Sequence, residues 1–259
     1  MEENPTTQLI KRSEDRAADQ PRTFKIVPDI APYAQGSVLV STGNTQVICA
    51  ACLEETVPRW MKEQNVSGGW ITAEYSMLPY STLTRRPRDI SKGKLDGRGV
   101  EIQRLIGRSL RAAIDLDLLG QRTLWVDCDV LQADGGTRTA AISGATVAVA
   151  LALAKLVSTG TLEKWPLRCL VAAVSVGMVD GNVFVDLDYD EDKKASVDLN
   201  LVMSHRGEFI EIQGTGEEAT FSGTDLSGMV AAGQRAIAGI IENQKRILRE
   251  LAPQVPEID

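Results

Sequence analysis

The stretch Ala140–Ala154 is apolar and made mostly of small residues, interrupted by Ser143, Gly144 and Thr146. It is shorter than the roughly 20 residues needed to cross a bilayer, so it reads as a buried helix. Everything else in the chain has to be arranged around it. Just before it stands a glycine-rich turn, Ala133-Asp134-Gly135-Gly136-Thr137-Arg138. Before that, Thr123–Leu131 alternates as a strand does and ends at Asp127-Cys128-Asp129. The helix is expected to run to about Val157, with Gly160 closing the unit.

Upstream, Gly36–Ser41 and Thr45–Cys52 are β-rich runs about a turn at Thr42-Gly43-Asn44, and Trp70–Leu78 is another strand. Val100 to about Leu119 reads as an amphipathic helix, with Val100, Ile106, Leu110 and Ile114 apolar and Arg104, Arg108 and Arg111 on one face. The second half repeats the plan. Leu170–Met178 and Asn182–Tyr189 are strands about Val179-Asp180-Gly181-Asn182. Val197–Ser204 and Glu208–Gln213 flank His205-Arg206-Gly207. Thr224–Leu251 is helical. Strands followed by a helix, twice over, predict an α+β fold of two similar lobes, at approximately 21–160 and 161–259, after a mobile tail over 1–20. The tail is polar, with no apolar core for a signal peptide, and the expected location is cytoplasmic.

Between Arg85 and Arg111 nine basic residues face three acids, a local +6 in a chain whose net charge is −7. A cationic segment on an acidic body suits a localised polyanion site. Residues 79–98, with Pro79, Pro87, Gly93 and Gly97, form a long loop in this reading, and loops of that length are usually functional.

Three constellations carry chemistry. The turn Asp134 to Thr139 can bring backbone N–H groups, a positive helix end and an arginine to an anion; it also reads as an ordinary glycine turn with a surface arginine. Gly97-Arg98 opens the other basic helix in the same way, or presents a solvated charge. Asp186, Asp188, Asp190, Glu191 and Asp192, followed by Asp198, can share a hard cation where one strand ends and the next begins, or form a solvated acidic turn. Cys49-Ala-Ala-Cys52 has metal-site spacing but no second pair, so the four cysteines read as buried thiols. The single histidine, His205, reads as a surface residue. No protein nucleophile is apparent, and a substrate should supply it.

These segments together resemble bacterial ribonuclease PH over nearly the whole chain. The resemblance runs through Gly36–Val40, Gly69–Pro79 and Glu101–Arg108. Its most specific part is Asp127 to Thr139, and Gln213-Gly214-Thr215 follows. It implies two lobes, a hexameric ring built as a trimer of dimers, and a phosphate-dependent 3′-5′ exoribonuclease. That activity would remove 3′-terminal nucleotides of tRNA precursors as nucleoside diphosphates, reversibly. Arg98, Gly136, Thr137 and Arg138 would bind inorganic phosphate, Asp192 and Asp198 would hold Mg²⁺ or Mn²⁺, and Arg85 and Arg88 would handle RNA. The alternative is an inactive ring subunit that only threads RNA. Three departures stand out: Tyr80 where the family has arginine, Lys193-Lys194-Ala195-Ser196 between the metal aspartates, and Glu14-Asp15-Arg16 near the start.

Overall fold

The computed structural model describes residues 12–93, 96–217 and 219–253. In order these form β1 (Phe24–Pro28), β2 (Gly36–Thr42), β3 (Thr45–Glu54), α1 (Arg59–Glu63), β4 (Trp70–Met77), α2 (Asp89–Lys92), α3 (Gly97–Ala113), β5 (Thr123–Gln132) and α4 (Thr137–Ser158). Then come β6 (Val171–Val179), β7 (Asn182–Val185), α5 (Tyr189–Lys194), β8 (Val197–Ser204), β9 (Phe209–Gly216) and α6 (Gly223–Leu251). Strands β1–β5 make one sheet in the order β1-β2-β3-β5-β4, and β6–β9 a second in the order β7-β6-β8-β9.

The apolar helix α4 lies between the sheets, which is why it can be apolar all round. On one side it meets β2 and β3 at close range. A Cβ on Gly36 would stand 2.2 Å from the Ala148 carbonyl oxygen, and one on Gly144 would stand 2.6 Å from the Val40 side chain. On the other side the Ala173 N–H of β6 donates to Ser143 Oγ at 3.1 Å. The Gln244 amide of α6 donates to the carbonyls of Ser143 and Val171. Small residues therefore set the spacing of the layers. Truncating a fully buried neighbour such as Ile142 or Leu153 would cost about 2–5 kcal/mol.

The structure corrects several expectations. Within the span expected as a mobile tail, Arg12 and Arg16 are buried, while residues 13–15 and 17–20 are exposed. Residues 1–11 of that tail lie outside the described residues. The helix expected from Val100 to Leu119 begins at Gly97, under an Asp96 cap, and ends at Ala113. Ile114 is extended and bridges to Leu167, while the Arg168 N–H takes the Ala113 carbonyl at 2.7 Å. The β-branched Ile114 thus leaves the helix to join the second lobe. The strand expected over Asn182–Tyr189 stops at Val185, because Asp186 adopts a left-handed backbone with φ 56. The acidic run beyond it is the helix α5, capped by Asp188. His205 is only partly exposed; its Nδ1 accepts the Leu170 N–H at 3.2 Å. All four cysteines are free, and Cys52 is only partly buried.

Candidate active site

The first wall of the site is the start of α4. Gly135 and Gly136 both have positive φ, at 70° and 63°, which glycine adopts without strain. A Cβ on Gly135 would stand 2.3 Å from the Leu187 carbonyl oxygen, so this turn can dock on the second lobe only as glycine. Gly136 is the N-cap of a 22-residue helix and offers no side-chain cap. The first N–H groups of α4 are therefore left for an anion, at the positive end of a long helix. Thr137, in that turn, is buried and accepts the Tyr75 hydroxyl at 2.8 Å.

Arg138, in the first turn, is held from below. One of its terminal nitrogens donates to Gln213 Oε1 at 2.8 Å and lies 3.5 Å from Glu101 Oε1. Gln213 in turn donates to Glu101 at 3.1 Å. One terminal nitrogen is thereby anchored, and the side chain is largely buried.

Arg98 sits in the first turn of α3 and is exposed. It lines a cavity of about 220 Å³ together with Tyr75, Met77, Arg86, Pro87 and Arg88. Arg86 pairs with Asp96 at 3.1 Å and its N–H closes on the Pro79 carbonyl at 2.8 Å. It therefore ties the long loop to the α3 cap. Arg88 is exposed at the cavity, and its charge bears on Asp129 of β5. Arg85 is exposed on the loop outside the cavity lining.

The third wall is acidic. Asp198, on β8, has Oδ2 accepting from Asn200 at 3.2 Å. Its Oδ1 is buried without a hydrogen-bond partner among the described residues. Burial, reinforced by Asp192, raises its carboxyl to about 6, against the pull of Arg138. Asp192, on α5, lies at the surface, and desolvation by the protein around its carboxyl, with Glu217 adding to it, raises it above the ordinary range. Arg98 and Arg138 pull it back down. The charges of Arg98 and Arg138, at two helix starts, thus bear on Asp192 of α5, and those of Arg138 and Asp192 bear on Asp198 of β8.

The donor set fits a hard divalent cation. Two carboxylates supply oxygens, one of them a buried oxygen lacking any partner, and Mg²⁺ commonly takes one or two carboxylates and completes its shell with water and substrate phosphate. Among the described residues no group of three or more His, Cys, Asp and Glu is placed to make an all-protein cage.

Sequence reasoning missed what holds these walls together. Arg22, buried, donates through Nε and one terminal nitrogen to both oxygens of Asp186, at 2.9 and 2.7 Å. Its other terminal nitrogen donates to the Asp134 carbonyl. Tyr75 and Gln213 were missed as well. Gln213 lay in a recognised motif, and Tyr75 sat at an inward position of β4, both signals that were readable.

Fold and site together define a two-lobed α+β protein with arginines at two helix starts whose charges bear on a pair of carboxylates. Comparison with known proteins makes this specific. Residues 20–155 match the family described as "3′ exoribonuclease family, domain 1", and residues 169–236 match its domain 2. The chain belongs to this ribonuclease PH family. It is 51% identical over 239 residues to the ribonuclease PH of Syntrophomonas wolfei, covering 92% of this chain and 99% of that one. It is 49% identical over 245 residues to that of Bacillus velezensis, covering 94% and 99%. Among solved structures, rice (Oryza sativa) Rrp46 aligns with a TM-score of 0.75 at 21% identity, covering 92% of this chain and all of that one. The Archaeoglobus fulgidus exosome with RNA bound to the active site gives 0.75 at 21%, covering 90% and 92%. These two share the fold.

Proposed function

We propose that the chain is a phosphate-dependent 3′-5′ exoribonuclease that shortens tRNA precursors one nucleotide at a time, releasing nucleoside diphosphates. The observation that carries this reading is the 49–51% identity to ribonuclease PH over most of the chain, with Arg98 and Arg138 in the first turns of two helices. Two guanidiniums and an open helix start are what a phosphate dianion needs; a hydrolase, which uses water, needs no such pocket.

Inorganic phosphate lies on the first N–H groups of α4 at Gly136 and Thr137, between Arg98 and Arg138. Glu101 and Gln213 keep Arg138 from swinging toward solvent, and the Tyr75 bond to Thr137 fixes the first turn of α4 against β4. A phosphate oxygen attacks the phosphorus of the terminal phosphodiester. The bond to the preceding 3′ oxygen breaks, and that oxygen leaves on the shortened RNA and takes up a proton. One phosphoester is exchanged for one phosphoanhydride, so excess diphosphate reverses the step. Asp192 and Asp198 would hold Mg²⁺ or Mn²⁺, which supplies charge stabilisation at the phosphoryl and leaving oxygens. Arg88 at the cavity and Arg85 on the loop receive the RNA backbone.

The alternative of an inactive, RNA-threading subunit is disfavoured, because such a subunit has no use for a buried carboxylate oxygen beside a phosphate pocket. We place the enzyme in the cytoplasm, in a ring of six copies. Incubating 3′-labelled RNA with and without phosphate tests the reading. Nucleoside diphosphates that form only with phosphate are expected, and monophosphates in phosphate-free buffer would refute it.

A further inference from the structure

The two halves of the site come from different lobes, yet one cluster of buried charges joins them. Three arginines of the N-terminal segment supply it. Arg12 forks onto Glu191, with Nε to Oε1 at 2.7 Å and a terminal nitrogen to Oε2 at 2.9 Å. That nitrogen also donates to the Val185 carbonyl at 2.8 Å, and the guanidinium lies 4.6 Å over the Phe184 ring. Arg16 adds a bond to Glu191 Oε2 at 3.3 Å and one to the Asp186 carbonyl at 3.1 Å. Glu191 also takes the Asp188 N–H at 3.1 Å, closing the capping box of α5. Arg22 then bridges Asp186 to the carbonyl of Asp134. Finally, Asp134 Oδ1 accepts the Tyr189 N–H, the first of α5, at 3.3 Å.

The consequence is geometric. Glu191 immediately precedes Asp192, and Asp134 immediately precedes the glycine pair that opens α4. A helix of six residues has little stability of its own, and α5 follows a residue in a strained left-handed conformation. Something outside it must fix it. Buried ion pairs add little net stability compared with apolar packing, but a forked guanidinium fixes direction as well as distance.

We propose that Arg12, Arg16 and Glu191 are positioning residues for the metal-holding Asp192, and that Arg22 and Asp186 are positioning residues for the phosphate turn. The N-terminal segment then acts as a brace setting the separation of the two halves of the site. Arg12 and Arg16 precede the first residue matched by the family's domain 1, whereas Arg22, Asp186 and Glu191 lie within the matched domains. The proposal rests on the functional reading above.

The test uses full-length Glu191→Gln and Arg22→Lys proteins, with Arg12→Lys as a milder third variant and Asp192→Asn as a reference. Mn²⁺ binding is measured by electron paramagnetic resonance without RNA, the phosphate KM with RNA, and the thermal midpoint on the same samples. Glu191→Gln is expected to weaken Mn²⁺ binding about tenfold with the phosphate KM within twofold of the parent. Arg22→Lys is expected to raise the phosphate KM about tenfold while Mn²⁺ binding changes less. If Glu191→Gln does not fold, Arg12→Lys carries the same expectation. Unchanged constants in folded variants overturn the proposal, as does a parallel loss of both constants that tracks the thermal midpoint. If Asp192→Asn binds Mn²⁺ as well as the parent does, the metal reading itself is at fault. If Asp192→Asn loses Mn²⁺ and Glu191→Gln does not, only the brace is.

Discussion

Asp198 makes a sharp prediction about pH. Its carboxyl is raised to about 6, first by burial and second by Asp192. A divalent cation binds the ionised form, so proton and metal compete for it. With a pKa near 6, about half of the sites are ionised at pH 6 and roughly one tenth at pH 5. Metal affinity should therefore fall about tenfold from its plateau near pH 7 to pH 5. Asp192, also raised, steepens the loss at the acid end. The effect on stability has the opposite sign. Without metal, the unfolded chain ionises this group first, so the native state binds the extra proton between about pH 4 and 6. Stability then falls as pH rises through that window, by at most about 3 kcal/mol for a shift of roughly two pH units. Asp198→Asn should remove the larger part of both trends and leave the part due to Asp192. Mn²⁺ titrations at pH 5, 6, 7 and 8, paired with denaturant melts in chelator, measure them. Parent protein whose metal affinity is flat from pH 5 to 7, or whose metal-free stability rises over that range, would refute the reasoning.

Three further outcomes are expected. Arg98→Ala or Arg138→Ala should each lower kcat/KM for phosphate by 10² to 10³, since a charge-assisted donor to a dianion contributes about 3–4 kcal/mol in the transition state; RNA affinity should move far less, and filter binding beside phosphate kinetics checks this. Arg85→Ala with Arg88→Ala should reduce the slope of log K against log salt for single-stranded RNA by about 0.7 per lost phosphate contact, and an unchanged slope would place them off the RNA path. Replacing the exposed Lys193 and Lys194 of α5 by alanine should lower the Mg²⁺ concentration for half-maximal activity and raise the RNA KM, most clearly at low ionic strength where screening is weak; no change in either constant at any salt would remove these lysines from the account.

The parts of this molecule that were legible in its sequence are those set by local pattern. The α4 helix, its glycine turn and the strands around it follow from composition and periodicity, because small apolar residues and positive-φ glycines have few other uses. The basic cluster and the paired aspartates were visible as residue types, although not as neighbours. What was hidden depends on tertiary partners. Arg12 and Arg16 look like tail residues because nothing nearby in sequence shows that Glu191 lies opposite them. The acidic run reads as a strand end because the left-handed Asp186 is held by Arg22, and the Asp188 cap by Ser13, each from more than 160 positions away. Helix α3 starts earlier than its apolar pattern, since Asp96 caps it, and stops where Ile114 pairs across the lobes.

The central claim is that inorganic phosphate, held by Arg98, Arg138 and the start of α4, is the nucleophile. The most direct measurement supplies ³²P-labelled inorganic phosphate with unlabelled RNA and separates the products. Label should appear in the terminal phosphate of the released nucleoside diphosphates, in proportion to the nucleotides removed, and should disappear with Arg138→Ala. RNA shortened without any transfer of label would contradict the account.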